Sequence, residues 1–140
     1  MINCRFTVAI HVLCLLATDR MKLLTSEFIA GSVNTNPVVV RRILAVLRNA
    51  GLVESQPGVS GGWQIVGEAS TITLGHVYRL IQPGSVFAMH NKKPNPRCPV
   101  GKNIQRGLRI HYQNAQEALE KELERTTIAD VLQDVLSAEQ

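Results

Sequence analysis

A mainly α-helical fold carrying one small β-hairpin is predicted for this 140-residue chain by three features. Apolar residues recur every three or four positions, capping residues stand just ahead of those runs, and one glycine-rich stretch, Pro57 to Gly62, is flanked by short β-prone segments. Hydrophobic residues make up 45% and charged residues 19%, enough apolar side chain for a core and too much for a disordered or low-complexity chain. No apolar run approaches the ~20 residues of a membrane-spanning helix and no leader pattern opens the sequence, so a cytoplasmic protein with no membrane partner is expected. Three cysteines, Cys4, Cys14 and Cys98, are too few and too scattered for a disulfide framework.

Element by element, a first helix is expected over Arg5 to Ala17. Phe6, Ile10, Leu13 and Ala17 share one face, and Val8, Val12, Leu15 and Leu16 cover much of the rest, which marks a mostly buried helix. Thr25 caps a short second helix through Ser26, Glu27, Phe28, Ile29, Ala30 and Val33, and Asn34-Thr35-Asn36 is turn chemistry. In the third helix, Pro37 to Ala50, Asn36 is the N-cap and Pro37 suits the first position. Val40, Ile43, Leu44 and Leu47 form its inward stripe, and Gly51 suits a left-handed stop. Leu52 to Gln56 and Trp63 to Val66 read as the two strands of a hairpin. Thr73 caps a fourth helix with Leu74, Val77, Tyr78 and Ile81 on one face, ended by Pro83-Gly84.

Residues 83–98 form a loop too long and too peculiar for a plain connector, with Val86, Phe87, Met89 and His90 followed by the Lys92 to Pro99 run. From Pro99 to about Arg125, Val100, Ile104, Leu108, Tyr112, Ala115, Leu119 and Leu123 mark one long helix whose stripe needs a partner. Thr127 with Asp130 makes a capping-box-like start for a last helix carrying Ile128, Val131, Leu132, Val135 and Leu136. The expected organisation is a winged helix-turn-helix over residues 1–82, a sensor loop over 83–98, and a dimerisation helix with the C-terminal helix over 99–140, all one compact unit.

Two helices joined by a tight polar turn and followed by a glycine-tipped hairpin point to DNA. The helix from Pro37 would enter the major groove with Val38, Val39, Arg41, Arg42, Ala45 and Arg48 outward. Arg41 or Arg42 could take a guanine bidentately, for about 1 to 3 kcal/mol of discrimination, while Val38 or Val39 meets a thymine methyl. Asn36 at the helix start, and Gly58, Ser60, Gly61 and Gly62 in the wing, bring backbone and short side chains close to the duplex. A winged module that binds a partner protein or small ligand instead of DNA is the other reading.

Charge is unevenly spread. Residues 71–112 hold seven basic and no acidic side chains, and residues 113–140 hold two basic and seven acidic ones. The carboxylate-free block argues for a negative partner, whether nucleic acid, a small anion or the acidic segment of a second subunit. Within the long helix, cations near the N-terminus and carboxylates near the C-terminus oppose the helix dipole, which an antiparallel copy in a two-fold interface would answer.

Leu24-Thr25-Ser26-Glu27-Phe28-Ile29-Ala30, Ala50 to Ser55, Gly58, Gly61-Gly62-Trp63 and Ile72-Thr73-Leu74-Gly75 together resemble the Rrf2 (Rrf-two) family of winged-helix regulators, which includes IscR, NsrR and CymR. The Asn95 to Lys102 segment looks most like its YwnA-type branch. The resemblance implies a homodimer, held by the long helix, that binds palindromic operators and usually represses. It places DNA contacts on Asn3 and Arg5, Ser26, Val38, Val39, Arg41, Arg42 and the wing. Many members carry an arginine at the wing base where this chain has Pro57, a departure that shifts readout toward the recognition helix.

A larger departure lies in the sensor region. Cluster-binding members place three cysteines close together ahead of the long helix, because a cluster needs converging thiolates. Only Cys98 stands there in this chain, so no cofactor and no metal site are expected. Cys98 immediately precedes Pro99, so the helix start and the neighbouring Lys93, Arg97 and Lys102 favour its thiolate; a redox sensor and a small hydrophobic residue fixing the loop are both open readings. A redox or small-molecule effector acting at Cys98 or beside Val86 to His90 is the expectation. No paired carboxylates, phosphate loop or nucleophile with a base is recognisable, so an enzyme is not expected.

Overall fold

The computed structural model describes residues 4–139, in the order α1 (Arg5–Ala17), α2 (Ser26–Val33), α3 (Pro37–Asn49), β1 (Val53–Gln56), β2 (Gly62–Ile65), α4 (Leu74–Ile81), α5 (Pro99–Leu123) and α6 (Ile128–Ser137). The predicted mainly helical winged helix-turn-helix is the observed architecture. A single 3-10 turn, Ala69–Thr71, joins β2 to α4.

Local chemistry sets the helix starts as expected. Thr25 Oγ1 accepts from Phe28 N at 3.1 Å, Asn36 Oδ1 from Val38 N at 2.8 Å and Thr73 Oγ1 from His76 N at 3.0 Å. Thr127 and Asp130 form a complete capping box, despite aspartate in place of the usual longer acid. Asn34, with φ 62°, makes the left-handed turn between α2 and α3, a conformation asparagine tolerates better than most residues.

The core is a layer of helices wrapped around α1. Ala9, Val12, Leu13 and Leu16 are its buried side, packed with Ile29 of α2, Val40, Ile43, Leu44 and Leu47 of α3, Val77 and Ile81 of α4 and Ile128 of α6. This corrects the sequence-based choice of face on α1. Phe6, Ile10 and Ala17 are only partly buried, and with nearly every position apolar the spacing alone could not rank the faces.

β1 and β2 pair antiparallel with Val53 opposite Ile65 and Gln56 opposite Gly62, one residue off the expected strand ends. Leu52 and Val66 still pair, through Val66 N donating to Leu52 O at 2.9 Å. Leu24 bridges Trp63 through two backbone hydrogen bonds of 2.8 and 2.9 Å, adding a one-residue third strand to the wing. At Gly62 a β-carbon would stand 2.7 Å from the Leu24 carbonyl oxygen, so this pairing requires glycine.

α5 is the longest helix and one of the least covered. Of its 25 residues only Gln116 is buried, and Val100 and Ile110 are 69% and 54% exposed. Its C-terminal end is fastened to the start of α4: Leu74 N donates to Thr126 O, Ile128 N to Ile72 O, and Thr73 Oγ1 to Glu124 Oε2 at 2.9 Å. Gly75 leaves the space that the Glu124 carboxylate fills.

Candidate nucleic-acid interface

Three segments meet on one side of the molecule: the start of α2, the outward face of α3, and the wing. Caps hold the first two in place. Because Asn36 bonds the Val38 amide and Pro37 occupies the first position, α3 begins sharply and presents Val38, Arg41 and Arg42 to solvent. Val39 is half-buried against the core, less available than the sequence implied.

Arg41 does not point out alone. Its Nη1 donates to Ser26 Oγ and to Glu27 Oε1, both at 3.4 Å, while Ser26 Oγ donates to Glu27 Oε2 at 3.3 Å. Ser26 is consequently buried at the base of α2, with its hydroxyl engaged by these two side chains. Arg48 lies over the Trp63 ring at 5.6 Å, a cation–π contact that fastens α3 to the wing. From the sequence, Arg48 is simply an outward cation. A partner fifteen residues away leaves no local signal.

At the wing, Gly58 and Ser60 are exposed and Gly61 partly so, with Gly61 N donating to Gly58 O at 3.1 Å. Val59 at the tip is fully exposed and Phe28 on α2 is 57% exposed, two apolar side chains beside the interface that the sequence reading did not single out. Arg5 opens α1 and is exposed. Asn3 lies outside the described residues. A cleft of about 300 Å³ runs between the start of α2 and the wing, lined by Thr25, Ser26, Glu27, Gln56, Pro57 and Gly58 among others.

Cys98 is the N-cap of α5, and its exposed sulfur accepts from Gly101 N at 3.5 Å. The loop before it turns on Asn95, whose side chain accepts from Arg97 N at 3.0 Å. Cys14, by contrast, is buried and donates to Ile128 O at 3.9 Å, with burial pushing its thiol pKa up. Beside the loop, Phe87 stacks on Tyr112 with ring centres 5.0 Å apart. Gln116 accepts from Val86 N and donates to Tyr78 Oη, and Tyr78 meets Phe6 of α1 edge-on. A hollow of about 420 Å³ opens there, lined by Phe87, Met89, Arg109, Tyr112 and Gln116 among others.

A capped helix with cationic side chains outward, adjoining a glycine-tipped wing on a helical core, defines the class of winged-helix transcriptional regulators. The chain belongs to the Rrf2 family, described as iron-dependent transcriptional regulators, whose family model matches residues 2–134. It is 44% identical over 133 residues to YwnA of Bacillus subtilis, a candidate helix-turn-helix-type transcriptional regulator, covering 94% of this chain and 97% of that protein. A solved candidate transcriptional regulator from Lactobacillus plantarum is 27% identical with a TM-score of 0.81, over 96% of this chain and 91% of that one. CymR, the global cysteine regulator of B. subtilis, shares the fold at a TM-score of 0.68 and 23% identity, over 95% and 96% of the two chains.

The family description implies iron, and among the described residues the donor side chains do not converge on a site for it. Among the described residues no three His, Cys, Asp or Glu side chains come together as a metal site. The three cysteines stand at the start of α1, in the core beneath α6, and at the start of α5. Among the described residues, too, no helix is long and apolar enough to cross a membrane.

Proposed function

We propose that the protein is a homodimeric repressor that binds a palindromic operator and is released or engaged by a redox or small-molecule signal without an iron–sulfur cluster. The observation that carries the reading is the sharply capped α3, with Val38, Arg41 and Arg42 outward beside a wing fastened to the same helix through Arg48 and Trp63. Arg42, exposed and without an ion pair among the described residues, reaches a guanine or a phosphate; Val38 meets a thymine methyl. Asn36, Gly58, Ser60 and Gly61 bring main chain to the phosphates, and Arg5 supports from α1.

Dimerisation through α5 is supported by its incompletely covered apolar stripe and by its charges. Lys102, Arg106 and Arg109 have no carboxylate partner among the described residues, whereas Glu117 and Glu120 in the other half pair with no cation there. An antiparallel copy brings these together. For the signal, the exposed Cys98 sulfur that caps α5 favours thiol chemistry, since modification acts directly on the start of the dimer helix. The hollow beside Phe87 and Tyr112 favours a small ligand instead.

Fluorescence anisotropy on duplex DNA from upstream of the gene, across salt, tests this with reduced, peroxide-treated and hypochlorite-treated protein and a Cys98→Ser variant. The expected result is salt-steep, sequence-preferring binding by the reduced protein, lost on oxidation and retained by Cys98→Ser. Binding indifferent to oxidant moves the signal to the hollow. Absence of any sequence preference overturns the operator reading.

A further inference from the structure

We propose that Glu27 is a specificity-determining residue: a carboxylate on the DNA-facing side that engages Arg41 and weakens binding to non-cognate duplex more than to the cognate site. The inference rests on the DNA-binding reading above and adds to it a residue whose charge is opposite to what a DNA surface ordinarily carries.

The placement is specific. Glu27 sits in the first turn of α2, exposed, as the acidic side chain lining the cleft between α2 and the wing. The other carboxylates in this half of the chain are occupied elsewhere: Glu54 accepts from Gln64, Glu68 pairs with Arg20, and Asp19 accepts from the Met21 amide. Glu27 instead faces the recognition helix. Its Oε1 and the buried Ser26 hydroxyl both receive Arg41 Nη1, and its Oε2 receives Ser26 Oγ, so one carboxylate and one hydroxyl hold one corner of the guanidinium. At 3.4 Å, with both side chains half or more exposed, the ion pair is weak and its effect on binding is modest.

Non-cognate binding draws essentially all its free energy from neutralised phosphates, whereas a cognate complex adds base-edge contacts. An arginine beside a carboxylate gains little by moving to a phosphate, because the carboxylate is left unpaired against a polyanion. The same arginine, held at one corner, keeps the rest of its five-donor fork for a base edge in the groove. Glu27 therefore suppresses the contact available on any sequence and spares the one available only on the right sequence. It also answers the partial positive charge at the α2 N-terminus, removing a second place where a phosphate would bind indiscriminately.

The test is anisotropy over a salt series with two duplexes, the tightest binder that the wild-type protein selects from a randomised pool and a scrambled duplex of equal composition. Wild type, Glu27→Gln, Arg41→Ala and the double variant are compared, with circular dichroism to show that each is folded. Glu27→Gln is expected to tighten binding to the scrambled duplex by roughly threefold to tenfold, to steepen its log–log salt slope by about 0.9, and to change the selected duplex much less. In the Arg41→Ala background the slope change should vanish. Equal tightening on both duplexes, or an unchanged slope, overturns the role of Glu27 while leaving DNA binding intact. A wild-type protein that selects no sequence overturns the DNA-binding reading itself, and this inference with it.

Discussion

α3 and α5 are both amphipathic, and they use their apolar faces in opposite ways. In α3 the stripe Val40, Ile43, Leu44 and Leu47 is completely buried within the chain, so what remains outward is there for something other than folding. In α5 the stripe from Val100 to Leu123 is only partly covered, and the one buried side chain, Gln116, is polar. The contrast teaches that a regular hydrophobic period states that a face is to be covered, and leaves open by what.

Replacing a residue of the finished face should therefore act on the single chain. Leu44→Ala, which empties a fully buried position, is expected to cost about 2 to 5 kcal/mol in urea unfolding followed by circular dichroism, independent of protein concentration. Charging the unfinished face should act on assembly. Ile104→Asp with Leu108→Asp is expected to reduce the mass seen by sedimentation from twice the 15.4 kDa chain to one chain, and to abolish the rise of melting temperature with concentration. An unchanged mass of one chain before and after would break the comparison, since the α5 stripe would then have no copy to meet.

Two smaller effects sharpen it. Gln116→Ala removes acceptors and donors from Val86 N and Tyr78 Oη, and should cost on the order of 1 to 2 kcal/mol while loosening the 83–98 loop to proteolysis. Glu124 fastens the end of α5 to α4. Arg79, 2.6 Å away, and then Thr73 hold its carboxyl below the ordinary carboxylate range. The sign follows: its contribution is complete above the unfolded-state value and is lost as pH falls through the lowered folded value. Glu124→Gln should thus destabilise near neutral pH by about 1 kcal/mol, with the difference from wild type shrinking in acid. An equal loss at every pH would show that the carboxylate charge is not what fastens the helices.

Legibility in the sequence followed how local the cause was. Asn36-Pro37, Thr25, Thr73 and Thr127 with Asp130 act within a turn, so helix starts could be read directly. On α1 the near-uniform apolarity hid which side faces the core. In the wing, Leu24 pairs with Trp63 nearly forty residues away, a contact that leaves no local signal. Within the candidate interface the outward arginines were legible from the stripe they avoid. Their partners were not: Glu27 with Arg41 and Trp63 with Arg48 are tertiary contacts with no periodic signature.

Trp63 is the sole indole of the chain, and it stands where the backbone of Leu24, the hairpin and Arg48 converge. Ultraviolet emission excited at the red edge of indole absorption accordingly reports on one place, without labels and without a second emitter to subtract. Any rearrangement that parts the hairpin from α3 alters the polarity and the cation beside that ring. The molecule thus carries its own optical gauge of whether the hairpin and α3 move as one body.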